Sequence, residues 1–244
     1  MSDDLSSDVE QFLAALRRAL AAPPSPLEKE LARSLRGVIH GYPELEAEAR
    51  ALGARGWTLP MWAHTGFVAE IASSVKAGET DAYFMDLYSA DGGSRETELL
   101  ESLATRPELA HWEPLLNECI IAYKQRLYRV TLPSLLLVLD GLIAAAGNRL
   151  NERSNAKTVA SSLLQASMRP YVDWLAWLTI EAFVSRVFQS REFGGQRPES
   201  INRHWIMHGR DIPDWGQTDC LRLFQAIDTI GSVSSWSSSV RRAT

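Results

Sequence analysis

The run Asn202-Arg203-His204-Trp205-Ile206-Met207-His208-Gly209, late in a chain of 244 residues, sets one arginine and two histidines close together. Histidine is the side chain that changes charge near neutral pH, so it can accept or deliver a proton during a reaction. Arginine keeps its charge and offers a planar fork of donors that fits a phosphate or carboxylate. The two types together can move protons beside an anion whose charge grows in the transition state. Plainer roles are open to the same residues: Arg203 as half of a surface ion pair, and His208 as a histidine favoured by the negative end of a helix. His204 and His208 are four apart and share a helix face, as metal ligands can. No glutamate follows His204 and no third ligand is evident, so neither a metal nor another cofactor is expected. The chain also lacks a Gly-x-x-x-x-Gly-Lys loop, a Gly-x-Ser-x-Gly elbow and a Gly-x-Gly-x-x-Gly turn.

These residues need elements to hold them, and nearly every segment carries apolar residues at helical spacing. Helices are expected from Ser7 or Asp8 to Ala22, Pro26 to His40, Pro43 to Gly53, Leu59 to Val75, Glu79 to Tyr88 and Ser94 to Thr105. Pro23–Pro26, Gly41-Tyr42-Pro43 and Asp91-Gly92-Gly93 separate them. A second, more apolar set runs from Pro114 to Leu127, Thr131 to Ala146, Ala156 to Ser167 and Pro170 to Gln189, with a polar loop at Asn148–Ser154. Gly194-Gly195-Gln196-Arg197-Pro198 breaks the pattern before a short helix from Ile201 to His208, which Gly209 stops. In a last helix Leu221, Phe224, Ile227 and Ile230 share a face, and a Ser-rich tail from Ser232 should fray. No strand pattern and no repeat stands out, so the fold class is all-α.

Composition is that of a soluble globular protein, with 45% hydrophobic and 23% charged residues. Cys119 and Cys220 lie in apolar helical patterns and read as reduced core residues. The acidic N-terminus has no signal-peptide pattern. The apolar run Leu132–Gly147 is short for a membrane span and carries Asp140. A cytoplasmic protein with no membrane association is the expectation. The net charge of −5 argues against a general nucleic-acid binder. It is unevenly spread, with 10 Lys/Arg against 20 Asp/Glu in residues 1–120 and 15 against 10 in residues 121–244. Arg203 and His208 thus lie in the electropositive half.

Arg-x4-His in a short helix behind a long helix pair resembles the signature of the HEPN superfamily, whose active members are metal-independent RNA nucleases. The likeness covers roughly residues 108–231. Pro114–Gly147 resembles the antiparallel helix pair that opens such domains, and Asp140-Gly141 stands where related bacterial proteins carry an acidic residue before a glycine. The resemblance implies an up-and-down helical bundle with an N-terminal extension: an acidic helical region at 1–107, the HEPN-like domain at 108–231 and a flexible tail at 232–244. It also implies a catalytic set of Arg203, His204 and His208 supported by Asp140 and Asn202. The expected activity is an RNA endonuclease of toxin or phage-defence type, leaving 2′,3′-cyclic phosphate ends. The alternative is a non-catalytic interaction module. Expected partners are RNA, a second copy of the chain, and an antitoxin or defence protein.

At roughly 100° per residue, positions five apart on a helix diverge by about 140°, so Arg203 and His208 do not share a face, and a homodimer could supply both groups to one cleft. Asp140 lies among Leu135, Leu136, Leu139, Leu142 and Ile143, where an isolated carboxylate is costly to bury. It needs a cationic partner, and Arg203 is the candidate; a helix cap or a watery groove would also serve. Asp228 is similarly placed in the last helix. Trp57, Trp62 and His64 could stack on a base, although core packing explains them as well.

Overall fold

Proline and glycine set most of the helix limits. The computed structural model describes residues 43–63, 65–147, 155–165 and 171–242, and every described element is a helix. The helices expected before Gly41, His64 and the loop Asn148–Ser154 lie outside the described residues. Pro43 occupies the first position of α1 (Pro43–Ala54), where its missing N–H costs nothing. The next is α2 (Thr65–Ala77). The long α3 (Thr80–Thr105) is interrupted at Ala90–Gly93, where Asp91, Gly92 and Gly93 take positive φ, as the Asp-Gly-Gly run predicts. A 3-10 helix (Pro107–Trp112) leads into α4 (Glu113–Lys124) and α5 (Tyr128–Ala146). Then come α6 (Ala156–Gln165), α7 (Tyr171–Val187), the short α8 (Arg203–Met207) and α9 (Gln217–Arg242).

Several limits differ from the sequence reading for physical reasons. Residues 59–63 are not the start of a helix. Trp57, Thr58 and Leu59 are threaded through the core, and side chains satisfy their backbone: Thr179 Oγ1 accepts from Leu59 N at 3.0 Å, and Gln225 Nε2 donates to the Thr58 carbonyl. The helix α5 starts at Tyr128 instead of Thr131, which puts Pro133 beyond its first turn at the loss of one backbone bond. In place of a frayed tail from Ser232, α9 continues to Arg242. Ile230 and Val233 are buried there, and no proline or glycine follows Gly231 to end the helix.

A single buried core runs from Ala49 to Val233. It joins α1–α3 to the helices that follow, and the described residues form one unit beginning at Pro43. The division expected between residues 107 and 108 therefore cuts through one core. α1 lies along α7, and α9 lies against α5, α3 and α7. Gly53 permits the first contact, because a Cβ there would collide with the Thr179 carbonyl and Ala182. Polar links cross the core too: Tyr88 Oη donates to Gln225 Oε1 at 2.6 Å, and Thr58 and Thr229 hydroxyls meet at 2.9 Å. Such groups are costly to leave unpaired. Cys119 and Cys220 are buried free thiols, and burial pushes them up to about 11 and about 12 respectively. By length and composition α5 could cross a membrane. Here it is a core helix, burying Leu132, Leu135, Leu136, Val138, Leu139 and Leu142 against its neighbours.

Candidate functional site: the α8 surface

The motif helix is shorter than the spacing suggests, spanning Arg203–Met207 with Asn202 and His208 as its two caps. Asn202 is buried and its side chain works in both directions: Oδ1 accepts from Trp205 N at 3.0 Å and Nδ2 donates to the Gln189 carbonyl at 2.8 Å. The first bond satisfies an orphan donor of the helix start. The second ties the helix to the end of α7. At the other end Gly209 takes φ +64°, with Gly209 N donating to Ile206 O at 3.0 Å and Arg210 N to Trp205 O at 2.8 Å. This paired closure needs a left-handed residue, which glycine supplies without strain. Ile201, Trp205 and Ile206 are buried beneath the helix.

A cationic staple closes the loops on both sides of α8. Arg197 donates to Asp211 at 2.6 Å, to Asp214 at 2.5 Å and to the Ile212 carbonyl at 3.1 Å. Asp214 and Asp211 hold the Arg197 guanidinium above its ordinary value. Arg129 on α5 donates to the Pro213 carbonyl at 2.7 Å, fastening the second loop to the bundle.

On this support Arg203 and His208 turn apart, as positions five apart must. Arg203 Nη2 reaches Asp140 Oδ2 on α5 at 2.9 Å. Asp140 is paired as its sequence context predicts, but it is not deeply buried. Its side chain is 40% exposed and that of Arg203 35%, because Asp140 points along the open flank of α5 while Leu135, Leu136, Leu139, Leu142 and Ile143 face inward. Gly141 sets how close this flank comes to its neighbour: a Cβ there would lie 2.7 Å from the Trp112 ring.

The histidines point to another group. His204 stacks flat on Phe193, with ring centroids 4.7 Å apart and planes 3° from parallel. His208 sits edge-on to both, 4.8 Å from His204 and 5.5 Å from Phe193. Arg210 covers the Phe193 ring at 5.3 Å. His208, Phe193 and Arg210 are all exposed. Sequence reasoning missed Phe193, although an aromatic between Arg191-Glu192 and Gly194-Gly195 has no periodic partner and cannot be placed in a core by pattern. Among the described residues no hydrogen bond or ring contact joins Arg203 to His208. No group of three His, Cys, Asp or Glu that could hold a metal ion occurs among them either.

The other candidates resolve differently. Asp228 accepts from Arg106 at 2.6 Å and from Ser102 at 2.8 Å, a pairing that ties α9 to the end of α3. Trp57 is fully buried, stacked on Phe84 at 4.3 Å and donating to Asp81 at 2.8 Å. It is a core residue. Trp62 is exposed beneath the Arg95 guanidinium, 4.2 Å from the ring centre.

No protein-family model, no curated protein and no solved structure matches this chain.

Proposed function

We propose that the α8 surface is the active site of a metal-independent RNA endonuclease, of the kind used in bacterial toxin or phage-defence systems. The observation that carries this reading is the histidine pair, with rings 4.8 Å apart on the helix whose Arg203 is anchored by Asp140. The likeness to HEPN nucleases supports it.

His208, the more exposed of the two, takes the proton of the 2′-hydroxyl. The 2′-oxygen then attacks the adjacent phosphorus, and the bond from phosphorus to the 5′-oxygen breaks. His204 delivers a proton to that leaving oxygen, and a 2′,3′-cyclic phosphate remains. Two imidazoles can divide these proton transfers between them. Arg203, which turns away from the histidines of its own chain, steadies the phosphate held by the histidines of a second copy. Its contact with Asp140 uses Nη2, and its other donors have no hydrogen-bond partner among the described residues. They are free for the growing charge on the phosphoryl oxygens. Phe193 stacks on His204 and holds its ring in plane.

The active unit in this reading is a homodimer. Val130 and Leu137 are 62% and 50% exposed on one face of α5, two turns apart and one turn short of Asp140. Apolar surface of this kind is covered when two copies meet. The same exposed residues favour a second reading, a non-catalytic module that binds an antitoxin or a defence partner. Incubating the purified protein with RNA in EDTA separates the two. Cleavage that needs His208 supports the nuclease, and binding without cleavage under any condition supports the module.

A further inference from the structure

Beside α8 lies a second basic feature that the motif does not include. The end of α7 and the segment 189–202 enclose an open cleft lined by Arg186, Arg191, Arg197, Glu199, Ser200 and Asn202. Arg197 is neutralised by Asp211 and Asp214. The other two arginines are not: Arg186 donates only to Ser200 Oγ, at 2.7 Å, and Arg191 only to Gln189 Oε1, at 3.1 and 3.3 Å. Among the described residues neither makes an ion pair. Burial, with the nearby cations Arg222 and Arg191, holds the Arg186 guanidinium below its ordinary value, and Glu199 only partly offsets this. With no ion pair of its own among the described residues, Arg186 is only partly compensated in a concave site. A fork of free guanidinium donors in such a site suits a phosphate oxygen pair better than any neutral ligand. The cleft ends at Asn202, the cap residue that immediately precedes Arg203.

We propose that this cleft is a phosphate subsite, in which Arg186 and Arg191 hold a backbone phosphodiester of the RNA strand adjoining the linkage cut at α8. Arg186 is the fixed member, positioned by Ser200. Arg191 is exposed and closes on the phosphate from the solvent side. Glu199 on the same wall opposes the anion and limits affinity, which lets product leave. The inference rests on the nuclease reading for the identity of the strand but not for the chemistry of the cleft.

The test is fluorescence anisotropy with a labelled, fully 2′-O-methylated single-stranded RNA, which binds without being cut, titrated over a range of salt. Arg191→Ala should weaken binding about 3- to 10-fold, and should flatten the slope of log affinity against log salt by about 0.7, the value for one lost single-strand phosphate contact. Arg191→Glu should weaken it further, and Glu199→Gln should strengthen it. Because Arg191 and Glu199 are exposed, circular dichroism should show all three variants folded. Unchanged affinity and slope in both Arg191 variants would overturn the subsite, whether or not wild type cleaves RNA. Weakened binding in a protein that never cleaves would instead keep the subsite and discard the nuclease. No binding by wild type at low salt would overturn both.

Discussion

Arg203 and Asp140, 63 residues apart in the chain, meet at 2.9 Å with more than a third of each side chain open to solvent. An ion pair so exposed contributes at most about 1 kcal/mol to stability. Its effect is on position: it fixes a long, flexible side chain at the edge of α8. The carboxylate sits on the open flank of α5, so the large penalty of an unpaired buried charge does not apply.

Asp140→Ala should therefore separate stability from activity. Thermal unfolding should shift by only a few degrees, while RNA cleavage should fall by about 10- to 100-fold as Arg203 loses its anchor. Asp140→Asn keeps an acceptor and should be milder in both. Parallel melting curves and initial rates check this; a large loss of stability with normal activity in the survivors would contradict it.

Gly141 should tolerate no side chain. A Cβ at this position meets the Trp112 ring at 2.7 to 2.9 Å, so Gly141→Ala must displace either the indole or α5. Overpacking of this kind costs about 1–3 kcal/mol. Chemical denaturation with Trp112 fluorescence as the reporter measures it, and Trp112→Leu in the same chain should relieve part of the cost.

Acid should loosen the link between α3 and α9. Burial alone would raise Asp81, but the Trp57 indole at 2.8 Å and the bidentate Arg222 guanidinium at 2.5 and 2.6 Å outweigh it and hold the carboxyl below its ordinary value. A carboxyl lowered in the folded state stabilises fully above its unfolded pKa of about 3.9, and that stabilisation disappears as pH falls through the folded value. Asp81→Asn should then be less stable than wild type at neutral pH, with the gap narrowing toward about pH 3. A gap independent of pH would show that the carboxylate charge contributes nothing.

Much of this was readable in the chain because it depends on local chemistry. The Asp-Gly-Gly break and the stop at Gly209 follow from residue type and spacing, and Asp140 announces its need for a cation by standing in an apolar run. What was not legible depends on contacts between distant segments. Leu59 looks like a helix start until Thr179 on α7 and Thr229 on α9 take up its backbone hydrogen bonds. Phe193 and His204, eleven residues apart, meet through the fold of the loop between them, which no periodicity encodes. Nor does the sequence show that the core continues across residues 107 and 108, since helix periodicity reveals which face is buried and not which helix covers it.

The homodimer predicts a mass of twice the 27.2 kDa chain by light scattering at micromolar concentration. Val130→Glu with Leu137→Glu places a charge on each exposed position of the α5 stripe, and the two-fold repeat doubles the effect. Those variants should sediment as folded monomers with reduced cleavage. A wild-type monomer with full activity at nanomolar concentration would contradict the shared site.

The measurement that bears most directly on the central claim is cleavage of end-labelled RNA in EDTA by wild type and His208→Ala, with the product ends identified by mass. The proposed chemistry predicts persistent wild-type cutting, 2′,3′-cyclic phosphate termini, and loss of at least about 100-fold in the variant. Activity abolished by chelator and restored by Mg²⁺ or Mn²⁺, or a His208→Ala protein as active as wild type, would contradict it.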